Sequence, residues 1–112
     1  MKKDIKLIID TRSNKKTTIT LVTDGKKSRK SLQMNQMHSQ AVLPLIEKVL
    51  SEQHISLKDI TRIEVPVDIG SFTGRRVGVA IAQALGSLLH VAINLHDAAQ
   101  PINIPYGNDK WK

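Results

Sequence analysis

Apolar and polar positions change their spacing several times along the chain, and each change marks an element. Ile5 to Asp10 is a short apolar run that reads as a buried strand. Thr17 to Thr23 alternates, with Thr18, Thr20 and Val22 set against Ile19 and Leu21, as in a strand with one buried face. Asp24-Gly25 is a two-residue hairpin signal. The return strand, Lys26 to Gln33, is polar and lysine-rich, which suits a sheet edge protected by charge.

The spacing then turns helical. A helix is predicted from about Met37 to Gln53, with Leu43, Ile46 and Leu50 on one face and Val42 and Val49 beside them. Met34, Met37, Ala41 and Leu45 form a second stripe on nearly the opposite side. A helix packed only on its own sheet needs one apolar arc, so two arcs predict a partner. Pro44 is expected to remove a backbone hydrogen bond or bend the first turns. Ser56 to Asp59 reads as a turn, Ile60 to Val67 as a strand, Phe72 to Leu89 as a helix and Val91 to Leu95 as a last strand. Asp97-Ala98-Ala99 is a helix start, which puts a domain at 1–99 and a tail at 100–112. The order is β-β-β-α-β-α-β, a meander followed by helical crossovers, and implies an α/β mixed sheet covered by helices.

The second helix carries a small residue at every fourth position: Gly74, Gly78, Ala82 and Gly86. Glycine inside a helix costs about 1 kcal/mol relative to alanine, so the row needs a reason. Close approach of another helix or backbone is the expected one. Val77, Ile81, Leu85 and Leu88 share the adjacent face and are expected to pack on the sheet. Met37, Ala41, Leu45, Gly74, Gly78, Ala82 and Gly86 are then the candidate partner interface.

Composition narrows the classes. The 112 residues fit one domain, and the aromatics are only Phe72, Tyr106 and Trp111, so the core is aliphatic. No cysteine is present, which excludes disulfides, thiolate nucleophiles and cysteine metal sites. No apolar run approaches the roughly 18 residues of a membrane span, so a cytoplasmic protein without membrane contact is expected. The formal charge of +7 gathers at Arg12, Lys15 and Lys16, at Lys26, Lys27, Arg29 and Lys30, and at Arg75 and Arg76. That balance favours polyanions, nucleic acid above all, or describes a solvated lysine-rich surface. No aromatic is interleaved with the basic runs to stack on bases.

Candidate chemistry is sparse. Asp10-Thr11 ends the first strand, but Arg12-Ser13 follow where close approach to a phosphate favours glycine. Arg12, Lys15 and Lys16 still offer electrostatic contact to a phosphate. His38, His54, His90 and His96 show no metal-ligand spacing. Ser71 and Thr73 lack a placed acid or base and read as helix caps. Arg75 and Arg76 are either solvated or turned to a partner carboxylate or RNA phosphate. No catalytic residue is assigned.

Four motifs in order carry a resemblance: Ile9-Asp10-Thr11, then His38-Ser39 with Leu43-Pro44-Leu45-Ile46, then Ser56-Leu57-Lys58-Asp59-Ile60, then Gly70-Ser71-Phe72-Thr73-Gly74 with Arg76 and Gly78. Over roughly residues 5 to 99 the chain resembles the TsaB family of tRNA threonylcarbamoyladenosine biosynthesis. Asp68-Ile69 stands where the family has Gly-Pro, and family members normally carry a second lobe. The resemblance implies a single actin-like ATPase (ribonuclease H-like) lobe. It also implies a non-catalytic subunit that pairs through its first two helices with TsaD, the enzyme that modifies an adenosine beside the tRNA anticodon. A TsaE-like ATPase, tRNA reached through the complex, and a homodimer are the further partners it implies. No tightly bound cofactor is expected, with ATP or ADP at a complex interface as the exception. At the end of the first strand, actin-like ATPases contact phosphate or its magnesium, which makes Asp10, Thr11, Arg12, Lys15, Lys16, Arg75 and Arg76 the candidate phosphate or RNA contacts. The alternatives are a basic RNA-binding module or a nucleotide-binding phosphotransfer enzyme.

Overall fold

The computed structural model describes residues 4–13, 15–33, 42–67 and 72–94, with backbone alone at 32–33 and 72–74. Five strands form one sheet: β1 (Ile5–Asp10), β2 (Lys16–Thr23), β3 (Lys26–Gln33), β4 (Arg62–Glu64) and β5 (Ala92–Ile93). Helices α1 (Val42–Glu52) and α2 (Phe72–Leu89) supply the crossovers. The strand order is β3-β2-β1-β4-β5. The meander pairs antiparallel, while β4 lies parallel to β1 and β5 parallel to β4.

Local chemistry accounts for the hairpin. Asp24 and Gly25 have φ of 50° and 86°, both positive as a type I′ turn requires. The turn sets the register Thr23↔Lys26 through Lys16↔Gln33, and with it which side chains face which way. Ile5, Leu7 and Ile9 of β1 and Ile19 and Leu21 of β2 point to one face, which both helices cover. Each such fully buried aliphatic side chain contributes about 1.5–3 kcal/mol. The other face carries Ile8, Asp10, Thr18, Thr20, Lys27, Arg29 and Ser31.

The two helices turn differently from the faces expected of them. In α1, Val42, Leu45, Ile46, Val49 and Leu50 are buried and Leu43 is exposed, so Leu45 joins the inward arc and leaves the expected partner stripe. Pro44 is the third residue of the described helix, and the residue whose carbonyl its N–H would have met, Gln40, lies outside the described residues. In α2, Arg75, Gly78, Val79, Ala82, Leu85 and Gly86 face inward. Leu88 is 70% exposed, and Val77 and Ile81 are half-buried. The small residues thus pack on the chain's own sheet, and part of the large apolar face lies outside.

Gly78 supplies the physical reason. A Cβ built there would lie 2.5 Å from Thr11 Oγ1 and 3.1 Å from Val65 Cγ2. The helix approaches the ends of β1 and β4 so closely that only glycine fits. The expected outward placement of Gly78, Ala82 and Gly86 is corrected accordingly. Met37, Ala41, the start of the first predicted helix, Leu95, Asp97-Ala98-Ala99 and the tail lie outside the described residues. Gly74 lies in the α2 backbone.

The fourth strand is shorter than the expected Ile60 to Val67. Ile60 closes a 3-10 turn at Leu57–Asp59. Beyond Glu64 the backbone is held by a side chain: Asn94 Oδ1 accepts from Val65 N at 2.8 Å, and Asn94 Nδ2 donates to Val65 O at 3.0 Å. Asn94, with φ of 50°, thereby continues the ladder after β5 has ended.

Candidate functional site

At the C-terminal end of β1 the chain turns at Asp10-Thr11-Arg12. Asp10 Oδ1 accepts from the Arg12 backbone N–H at 3.1 Å and from Arg12 Nε at 3.0 Å. Asp10 Oδ2 accepts from Arg12 Nη2 at 2.9 Å. The forked guanidinium engages both carboxylate oxygens, so the two charges neutralise one another. Thr11 is fully buried on the helix side, against the space that Gly78 leaves open.

The remaining candidate phosphate contacts separate. Lys15 and Lys16 are exposed, and the Lys15 backbone N–H donates to Ser13 Oγ at 3.1 Å. Arg76 is exposed. Arg75 is fully buried, and its Nη1 donates to Val67 O at 2.9 Å, tying the segment after β4 to the start of α2. That burial corrects the expectation that Arg75 is solvated or reaches a partner carboxylate or RNA phosphate. Asp10, Arg12 and Lys16 share a shallow depression of about 680 Å³ on the open face of the sheet, with Thr18, Lys27 and Arg29. Thr11 and Arg75 are not part of it.

The basic run of β3 is divided by the pleat. Lys27 and Arg29 point to the open face, while Lys30 Nζ lies 3.1 Å from Glu52 Oε2 of α1 on the helix side. A charge run that looks continuous in sequence is two surfaces.

A second depression, of about 850 Å³, lies at the other end of the sheet between the hairpin turn and the helix C-termini. His54 and His90 border it, with φ of 56° and 58°. Each stands just past a helix whose last carbonyls are taken up by the residue that follows, Ile55 N to Leu50 O and Val91 N to Gly86 O, both at 3.0 Å. Among the described residues no group of three or more His, Cys, Asp or Glu gathers as a metal site, and no helix is long and apolar enough to cross a membrane.

The outer faces of the helices form the third feature. Ala80, Ala84, Ser87 and Leu88 are exposed on α2, with Val77 and Ile81 half-buried beside them. Leu43 is 50% exposed on α1. Sequence reasoning missed Leu88 as a surface residue, while Ile81 packs in part against the core as expected. The available signal was the inner stripe Arg75, Gly78, Val79, Ala82, Leu85 and Gly86, which is also helical in spacing.

Comparison with known proteins agrees with this architecture. Residues 32–95 match the family described as "TsaD: tRNA N6-adenosine threonylcarbamoyltransferase". A relative from Buchnera aphidicola subsp. Schizaphis graminum, "tRNA threonylcarbamoyladenosine biosynthesis protein TsaB", is 39% identical over 56 residues, 50% of this chain and 27% of the relative. The Escherichia coli protein of the same name is 34% identical over 79 residues, 70% of this chain and 34% of the relative. The chain spans about a third of the length of these curated relatives. A solved structure, "YeaZ from Pseudomonas aeruginosa", superposes with a TM-score of 0.75 at 23% identity, covering 80% of this chain and 42% of that one. The fold is that of a single actin-like, ribonuclease H-like lobe. Four ordered motifs, the shared fold and the matched span lead to one conclusion: the chain belongs to the family described as TsaD, tRNA N6-adenosine threonylcarbamoyltransferase, and its curated relatives are TsaB proteins.

Proposed function

We propose that the chain is a TsaB-like, non-catalytic subunit of tRNA threonylcarbamoyladenosine biosynthesis, acting in the cytoplasm by binding and activating a TsaD-like enzyme. The observation that carries the reading is the apolar outer face of α2, where Ala80, Ala84 and Leu88 are exposed beside Ile81. Alanines let a partner helix approach closely, and Leu88 offers a side chain that loses water only in a complex. This surface replaces the glycine row as the proposed contact, with Leu43 of α1 beside it. A TsaE-like ATPase and tRNA join through the complex, ATP or ADP binds at a complex interface, and a homodimer through the same helix face is the competing assembly.

The test is a titration of the full chain against the TsaD-like protein of the same genome. Leu88→Glu puts a charge on the proposed contact without entering the core, and weakens binding at least tenfold, about 1.4 kcal/mol. Sedimentation of the chain alone reads the homodimer. The pure chain gives no steady ATP turnover, since Asp10 is committed to Arg12. A folded Leu88→Glu protein with wild-type affinity for the TsaD-like partner refutes the interface.

A further inference from the structure

We infer that the open face of the β2–β3 hairpin binds the phosphodiester backbone of RNA, with Lys16, Lys27 and Arg29 as its cationic contacts. The inference rests on the charge and geometry of that face and not on the helical interface proposed above. The open face is electrostatically divided. On its β1–β4 half, the charges are paired: Lys6 with Glu64 at 3.1 Å, Asp10 with Arg12 at 2.9 Å, and Arg62 with Asp4 at 2.8 Å. On its β2–β3 half, Lys16, Lys27 and Arg29 have no carboxylate partner among the described residues.

The geometry suits a strand of phosphates. Lys27 and Arg29 are two residues apart on one strand, so their Cα atoms are separated by about 6.8 Å. Successive phosphates along a polynucleotide have a similar separation. Thr18 and Ser31, opposite one another in the register, lie within reach of each other at 2.9 Å between hydroxyl oxygens and add neutral donors on the same face. The depression they share with the cations is shallow and open, fitted to a chain lying across it. Among the described residues its lining is mainly cationic, hydroxylic and aliphatic with no aromatic side chain, a set suited to contacting the backbone with little base preference.

Three cationic contacts set a measurable salt response. With roughly 0.7–0.9 counterions released per phosphate neutralised, affinity falls about 20- to 40-fold between 50 and 200 mM salt. With Lys27 and Arg29 removed, one contact remains and the fall is only about threefold. The experiment measures fluorescence anisotropy of a labelled tRNA transcript titrated with the full chain across that salt range. Lys27→Gln with Arg29→Gln weakens binding at 50 mM salt by at least tenfold and flattens the salt response. Arg29→Lys keeps both. Lys48→Gln with Lys58→Gln, which alters charge away from this face, changes neither. Wild-type affinity and salt response in the folded Lys27/Arg29 variant overturn the inference. So does an equal loss in the Lys48/Lys58 variant, which would make the binding a property of net charge. Binding to the TsaD-like protein, measured on the same Lys27/Arg29 variant, stays at the wild-type level, so failure of one proposal leaves the other standing.

Discussion

Gly78→Ala is expected to destabilise the fold although alanine is the better helix former. The propensity gain is about 1 kcal/mol. Against it stands a Cβ placed 2.5 Å from Thr11 Oγ1 and 3.1 Å from Val65 Cγ2. Neither neighbour moves easily, because Thr11 and Val65 are fully buried and β-branched. Overpacking of this kind typically costs 1–3 kcal/mol, so the net loss is up to about 2 kcal/mol. For a domain near this size that lowers Tm by roughly 4–8 °C per kcal/mol. The clash can be relieved selectively, since Thr11 Cβ would be 3.6 Å away, an ordinary contact. Thr11→Ala alone loses a hydroxyl interaction, about 0.5–1.5 kcal/mol. In the Gly78→Ala, Thr11→Ala double variant much of the clash is gone, and the two changes couple favourably by about 1 kcal/mol or more. Thermal and urea unfolding of the four proteins give the cycle. A Gly78→Ala protein more stable than wild type, or a coupling energy near zero, refutes the close approach of α2 to the end of β1.

Other perturbations follow from single contacts. Asn94→Ala removes both hydrogen bonds to Val65 and leaves its backbone N–H and carbonyl unpartnered, at a cost of about 2–4 kcal/mol by urea unfolding. A loss below about 0.5 kcal/mol would show that water replaces the side chain without penalty. The Asp4 carboxyl is held below its ordinary value of 3.8, first by its hydrogen bond from Arg62 and then by that from Thr61. Its contribution is therefore present above pH 3.8 and lost as the pH falls through the lower folded value. Asp4→Asn is expected to lower Tm at neutral pH and to leave it unchanged in strong acid. A difference that grows toward acid pH refutes the pairing.

The local pattern was enough for the elements and their order. Asp24-Gly25 announces a hairpin because so few residue pairs tolerate positive φ at two successive positions. Alternation in β2 reveals its buried face, since a strand has only two sides. The four motifs give the family because their residue types and order are specific. Strand ends were less legible. Residue 65 is held by a side chain from residue 94, a partner that no window around β4 contains.

Only the tertiary structure decided which way the helices face. A helix has many rotational settings, and α2 has two overlapping apolar stripes, Val77, Ile81, Leu85 and Leu88 against Val79, Ala82 and Leu85. Bulk alone favours turning the larger side chains inward. The observed setting instead follows from the gap between α2 and the ends of β1 and β4, which Thr11 and Val65 narrow until only Gly78 fits. Charge behaves in the same way. Lys27, Arg29 and Lys30 are neighbours in sequence, yet the pleat sends Lys30 to Glu52 and leaves the other two on the open face. Composition determined that the chain is cationic, while the register of one hairpin determined where Lys27 and Arg29 meet solvent.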